Sequence, residues 1–129
     1  MEFIKGMDIS SLIEEEKCGA KYFMDGVQMD LLKILKTKGC NYCRLRLWNN
    51  PYDEAGTPYG AGSNDMSKLI ELSKRVKAEG MKILLDYHYS DFWADPGKQT
   101  IPKAWRGLDA DGLCQAIFDY TKATLIVLK

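Results

Sequence analysis

Residues 39–51, Gly-Cys-Asn-Tyr-Cys-Arg-Leu-Arg-Leu-Trp-Asn-Asn-Pro, decide how the rest of the chain is read. From Tyr42 to Trp48 they are mostly strand formers, with two arginines set between leucines. Side chains alternate across a strand, so Cys43, Leu45 and Leu47 share one face and Arg44, Arg46 and Trp48 share the other. The apolar face must meet a covering layer of helices. The arginines therefore point the opposite way, which in a closed barrel of strands is the interior. Gly39 stands where a preceding helix ends in a left-handed residue, and Pro51 with the glycines at 56, 60 and 62 makes the following stretch a long loop.

Upstream, Leu31, Leu32, Ile34 and Leu35 recur at helical spacing and predict a helix over 28–38. Before it, Phe3 to Ile9 is a short apolar run stopped by Ser10-Ser11, read as a first strand, and a polar segment with Glu14 to Lys17 follows. Downstream, Met66, Leu69, Ile70, Ser73 and Val76 form one helical face, with Asn64 or Asp65 as N-cap and Gly80 as C-cap. Met81 to Tyr87 reads as a third strand, followed by a loop from His88 to Leu108. Asp109 caps a last helix through Leu113, Ile117, Tyr120 and Leu128.

The order βαβαβα implies a parallel sheet covered by helices, either an open doubly wound sheet or a closed barrel. Loop lengths favour the barrel. The connections after the second and third strands are long and rich in Trp, Tyr, Asp and Asn, whereas the turns after the first two helices are minimal. Functional residues collect in this way at the C-terminal ends of the strands of an α/β (β/α)8 TIM barrel. Residues 1–129 then form the first three β/α units of one such domain, since a whole barrel takes about 250 residues.

The same alternation places Gly6, Asp8 and Ser10 of the first strand, and Leu84, Asp86 and His88 of the third, on the face that carries Arg44 and Arg46. Ile83, Leu85 and Tyr87 face the helices. Asp8 and Asp86 can neutralise the two arginines, either as a satisfied ion network at the sheet end or as the floor of a pocket. Arg44 and His88, near strand ends, are candidates for substrate contact. Trp48, Trp93 and Trp105 lie among Asn49, Asn50, Asp91, Asp95 and Gln99, a mixture of flat apolar faces and hydrogen-bonding groups that suits a sugar. Trp105 reads equally well as a loop anchor.

Composition excludes several partners. Eighteen lysines and arginines balance eighteen aspartates and glutamates, so no long-range field draws the chain to nucleic acid or an anionic membrane. No apolar run reaches the roughly 20 residues of a membrane span, and Met1 to Gly6 has no signal-peptide pattern. Cys40 and Cys43 form a CxxC pair, but the single histidine, His88, is remote, so Cys18, Cys40, Cys43 and Cys114 read as buried structural thiols and no metal is expected. Dinucleotide, P-loop, HExxH and G-x-S-x-G signatures are missing. Carboxylates remain, yet Asp86, Asp91 and Asp95 share one strand and its loop, a poor arrangement for an acid and a nucleophile flanking a glycosidic bond.

Four blocks carry a resemblance: FIKGMDISSLIEEE, GCNYCRLRLWNNP, AEGMKILLDYHYSDFWADPGKQTIPKAW and IFDYTKATL. They cover nearly the whole chain, and it resembles glycoside hydrolase family 53, the endo-β-1,4-galactanases. The resemblance implies a retaining hydrolase of β-1,4-galactan, acting outside the cell on pectin side chains without a cofactor. It implies catalytic glutamates at the ends of the fourth and seventh strands, beyond Lys129, so no catalytic residue is expected in this chain. It implies a sugar-site floor of Arg44, Arg46, His88, Asp91, Trp93 and Asp95, beside which Asp8 and Asp86, read from strand alternation, form a supporting network. Cys40 and Cys43 depart from the valine-like residues of the family pattern. Two other readings stay open: a truncated fragment that holds glycan without cleaving it, and a cellulase-like or mannanase-like barrel hydrolase. Open sheet edges on a partial barrel further predict self-association.

Overall fold

The computed structural model describes residues 2–60 and 63–129; Met1 and the loop glycine Gly62 lie outside the described residues. The elements run β1 (Gly6–Asp8), α1 (Leu12–Lys17), β2 (Tyr22–Met24), β3 (Val27–Met29), α2 (Leu31–Thr37), β4 (Tyr42–Leu47), α3 (Met66–Ala78), β5 (Lys82–Tyr87), a 3-10 turn at Lys103–Trp105 and α4 (Ala110–Leu128). β1, β4 and β5 pair in parallel with β4 in the centre. Register sets Asp8 beside Arg44 and Arg46 beside Asp86. The three strands read from the sequence are these three, the first of them shorter than its apolar run.

The segment between the first strand and the first helix departs from the sequence reading. Glu14 to Lys17 belong to the short helix α1, and β2 and β3 form an antiparallel hairpin. Asp25 and Gly26 turn that hairpin with φ of 52° and 80°. Two successive left-handed residues match the right-handed twist of a tight hairpin, and Asp-Gly is the pair best able to adopt them. Gln28 consequently lies in β3, and α2 begins at Leu31. Asp30 sets that start: its backbone is extended and its carboxylate accepts the Leu32 amide at 2.8 Å.

The other boundaries follow the sequence closely. Asp65 caps α3 by accepting the Lys68 amide at 2.9 Å, and Asp109 caps α4 through the Gly112 amide at 2.8 Å. Gly39 and Gly80 leave α2 and α3 with φ of 89° and 66°. Between helices and sheet lies the core, in which Cys43, Leu45 and Leu47 of β4 meet Leu32 and Leu35 of α2 and Leu69, Leu72 and Val76 of α3. Arg75 ties the helical layer together, holding both oxygens of Glu16 at 2.7 and 2.8 Å and the capping Asp30 at 2.9 Å.

Among the described residues no helix packs on the opposite sheet face, which only the loop carrying Trp93 reaches, over Arg46 and His88. Leu84 is 55% exposed there, and β1 and β5 are both edge strands. On α4, Phe118, Leu125 and Ile126 are exposed as well. No helix among the described residues is long and apolar enough to cross a membrane. The cysteines correct the sequence reading in part: Cys43 is buried and Cys40 half-buried, but Cys18 and Cys114 are exposed.

Candidate active-site floor

Four predicted residues are joined by hydrogen bonds across the three parallel strands. Arg44 donates through Nη1 to Asp8 Oδ2 at 2.6 Å and through Nη2 to Asp86 Oδ2 at 2.5 Å. Asp86 Oδ2 also meets His88 Nε2 at 3.0 Å. Arg44 thus bridges the carboxylates of both edge strands from the central one. Its side chain is 41% exposed and those of Asp8 and Asp86 are 31% and 25% exposed, so each pair contributes about 0–1 kcal/mol in this chain. The network orients side chains more than it stabilises the fold.

Ser10 secures the Asp8 end. Its amide and hydroxyl donate to Asp8 Oδ1 at 2.9 and 2.6 Å, and its oxygen accepts the Arg46 amide at 2.9 Å. Partial burial alone would raise the Asp8 pKa. The Ser10 hydroxyl and amide, with the Arg46 and Arg44 cations, outweigh it and hold the carboxyl below its ordinary value.

His88 is fixed from both sides. Its Nδ1 accepts from the Trp48 indole N–H at 2.9 Å and from the Ala94 amide at 3.2 Å. Two donors at Nδ1 leave the ring hydrogen on Nε2, where it is donated to Asp86. Trp48 is therefore no open sugar platform: it is 1% exposed and carries the histidine from behind. Trp93 sits edge-on to His88 at 5.6 Å between centroids, and the Arg46 guanidinium lies 4.9 Å from its ring centre. Trp93 keeps 48% of its surface exposed, so an apolar face is free beside a cation and an imidazole.

A cavity of about 500 Å³ opens along the free edge of β5. Arg44, Asp86 and His88 form its polar wall, Asp95 and Gln99 reach it from the loop, and Trp105 and Ile117 close the apolar side. Asp95 stands in a turn, accepting the Gly97 amide at 2.8 Å, with its residue exposed. Trp105 combines both of its predicted roles, packing on Tyr120 at 5.8 Å while lining the cavity.

Asp91 differs from the other candidates. It is 3% exposed, and its two oxygens accept the amides of Asn50 and Lys103, so it faces loop backbone and not the cavity. Sequence reasoning also passed over Tyr89, which has φ of 45°, stacks on Tyr87 at 5.2 Å and hydrogen-bonds Thr121 of α4. No sequence signal marks a tyrosine for a left-handed backbone. Among the described residues no three His, Cys, Asp or Glu side chains cluster closely enough to hold a metal ion.

Parallel β/α units with a polar, aromatic-rimmed hollow at the C-terminal ends of the strands are the layout of part of a (β/α)8 barrel. The profile of Glycosyl hydrolase family 53 matches residues 4–129, and the chain belongs to that family. It is 49% identical over 125 residues to an endo-beta-1,4-galactanase of Bacillus subtilis, covering 96% of this chain and 29% of the relative. With an arabinogalactan endo-beta-1,4-galactanase of Cellvibrio japonicus it shares 42% identity over 127 residues, covering 98% of this chain and 32% of the relative. The Ignisphaera aggregans GH53 catalytic domain superposes with a TM-score of 0.93 at 45% identity, covering 98% of this chain and 35% of that one. A fungal beta-1,4-galactanase structure gives 0.83 at 34% identity, covering 96% and 35%. The chain thus spans about a third of the length of the relatives it matches.

Proposed function

We propose that this chain supplies the first three β/α units of an endo-β-1,4-galactanase, and that the Asp8–Arg44–Asp86–His88 chain is the floor of its sugar site. The observation that carries the reading is the bridge of Arg44 between two carboxylates, one of which fixes the His88 ring beside a half-exposed Trp93. A galactosyl unit presents C–H patches and hydroxyls, which the half-exposed Trp93 ring and the 41%-exposed Arg44 side chain complement, with Arg46 backing Trp93. Asp95 and Gln99 add acceptors and donors at the rim. The names of the relatives support β-1,4-galactan as the polymer. On this reading the protein acts outside the cell, where plant wall polysaccharide is found.

Retaining hydrolysis needs two carboxyl groups about 5 Å apart on either side of the scissile bond. Among the described residues no glutamate lines the cavity, and Asp8 and Asp86 are engaged by Arg44. The family resemblance, not the cavity lining, puts the acid/base and the nucleophile on later strands, within the two thirds of the relatives that this chain does not match, and on this reading the 129 residues alone do not cleave galactan.

The test is a chimera in which this chain replaces the matched segment of the Bacillus subtilis relative. It should release reducing sugar from galactan and not from mannan or cellulose, and Arg44→Ala should lower that release at least about tenfold, the loss of one charged hydrogen bond. Equal action on mannan or cellulose would overturn the assignment of substrate; no release from any of the three would overturn the enzyme reading.

A further inference from the structure

The loop after β4 and the loop after β5 are joined through a buried carboxylate, that of Asp91. Asp91 Oδ1 accepts the Asn50 amide at 3.0 Å and Oδ2 accepts the Lys103 amide at 2.7 Å. The first donor sits two residues past Trp48; the second is the opening residue of the 3-10 turn at the far end of the β5 loop. Beside these bonds, the Asn49 amide donates to the Ser90 carbonyl at 2.8 Å, the Lys103 ammonium donates to the Tyr52 carbonyl, and Tyr59 packs edge-on against Phe92 at 5.9 Å. A carboxylate buried to 3% exposure and met by two backbone N–H groups leaves no oxygen free of the loops. Charge-assisted bonds of this kind are about twice as strong as neutral ones.

We propose that Asp91 is a positioning residue: it clamps the two loops into one body, so that Trp93 and the Ala94 amide, two and three residues further on, stay against Arg46 and His88. This rests on the reading of the strand ends as a sugar site. Without the clamp, the loop that carries Trp93 loses its buried charged tie to the end of β4 and keeps only the weaker Asn49–Ser90, Lys103–Tyr52 and Tyr59–Phe92 contacts, so the Ala94 N–H that holds His88 Nδ1 moves more freely. Asp91 then serves the sugar without touching it.

Amide hydrogen exchange on the full chain decides the clamp independently of any activity. Asp91→Asn keeps one acceptor but turns an N–H₂ toward a backbone donor. The Asn50 and Lys103 amides should exchange at least about tenfold faster, while Leu45 of β4 and Leu85 of β5 keep their rates. A second pair of variants guards against a collapse of the fold in Asp91→Asn. Lys103 is the first residue of its 3-10 turn and follows Pro102 in extended backbone, with φ of −50° and ψ of 139°. Proline fits there and removes the N–H that Asp91 accepts. Lys103→Ala removes the ammonium and keeps the N–H. Lys103→Pro should therefore speed exchange at Asn50 and Ala94 beyond Lys103→Ala. Equal rates in those two variants, or strand amides accelerated by the same factor as the loops, would overturn the clamp.

In the galactanase chimera, Asp91→Asn should raise KM for galactan more than it lowers kcat, because a misplaced rim weakens binding first. An unchanged KM would overturn the functional part of the proposal. A parent chimera that releases no sugar would instead refute the galactanase reading, with the exchange rates still judging the clamp.

Discussion

Trp48 donates its indole N–H to Nδ1 of His88 over 2.9 Å, from a position 1% exposed on β4's continuation to the end of β5. The bond decides which imidazole nitrogen bears hydrogen and so which one faces Asp86. Removing the ring by His88→Ala strands a buried indole N–H, which costs about 1–3 kcal/mol. His88→Asn places an acceptor near the position of Nδ1 and should recover part of that loss. Urea unfolding of the two variants beside the parent checks it; equal midpoints for Ala and Asn would show that the Trp48 bond carries no weight.

Stability should fall on acidification with Asp8 as one contributor. Its carboxyl is held below the ordinary value of 3.8 in the folded chain, so folding is favoured by its charged form. That contribution is complete above 3.8 and disappears as pH drops through the lower folded value. The Asp8→Asn variant should be less stable than the parent at pH 6, by about 1 kcal/mol or less given the part exposure of the pair. The gap should narrow below about pH 4. A gap that stays constant from pH 6 to pH 2.5 in thermal melts would contradict the assignment.

Thiol reactivity should divide the four cysteines. Burial, with the neighbouring Cys40 thiol adding to it, pushes the Cys43 thiol up to about 11, so at pH 8 it is protonated as well as inaccessible. Cys18 and Cys114 are exposed. Iodoacetamide followed by peptide mass mapping should label those two in the native chain and Cys43 only after denaturation. Labelling of Cys43 at the rate of Cys114 would mean that the sheet–helix interface opens far more readily than its packing implies.

The isolated 129-residue chain should associate with a second copy of itself. β1 and β5 leave unpaired backbone at both sheet edges, Leu84 lies on the uncovered face, and Phe118, Leu125 and Ile126 make α4 apolar on its outer side. Such surface lowers its free energy by meeting another apolar surface or strand edge. Sedimentation velocity should show a mass that grows with concentration. Leu125→Lys together with Ile126→Glu should shift the distribution toward monomer, and a concentration-independent monomer of the parent would refute the expectation.

Periodicity and capping chemistry are local properties, and they settled most of the architecture from the chain alone. Alternation in 42–48 and 82–87 assigned the faces of β4 and β5, and Asp65, Gly80 and Asp109 marked helix ends within a residue or two. Even the hairpin missed between α1 and α2 had its signal in Asp25-Gly26 between two short strand-forming runs. Strand alternation also made the Asp8 and Asp86 partners of Arg44 legible, but the long-range partners of the residues past the strand ends were not. Nothing in the spacing of Asp91 distinguishes a side chain aimed at a cavity from one buried against the Asn50 and Lys103 amides, because those donors are 41 and 12 residues away. For the same reason the sequence shows Trp48 only as an aromatic near the cleft, whereas its indole N–H is bonded to His88, 40 residues on. Which face a residue takes is dictated by the neighbours along its own strand; what it touches there depends on how separate β/α units pack, and that is a property of the fold as a whole.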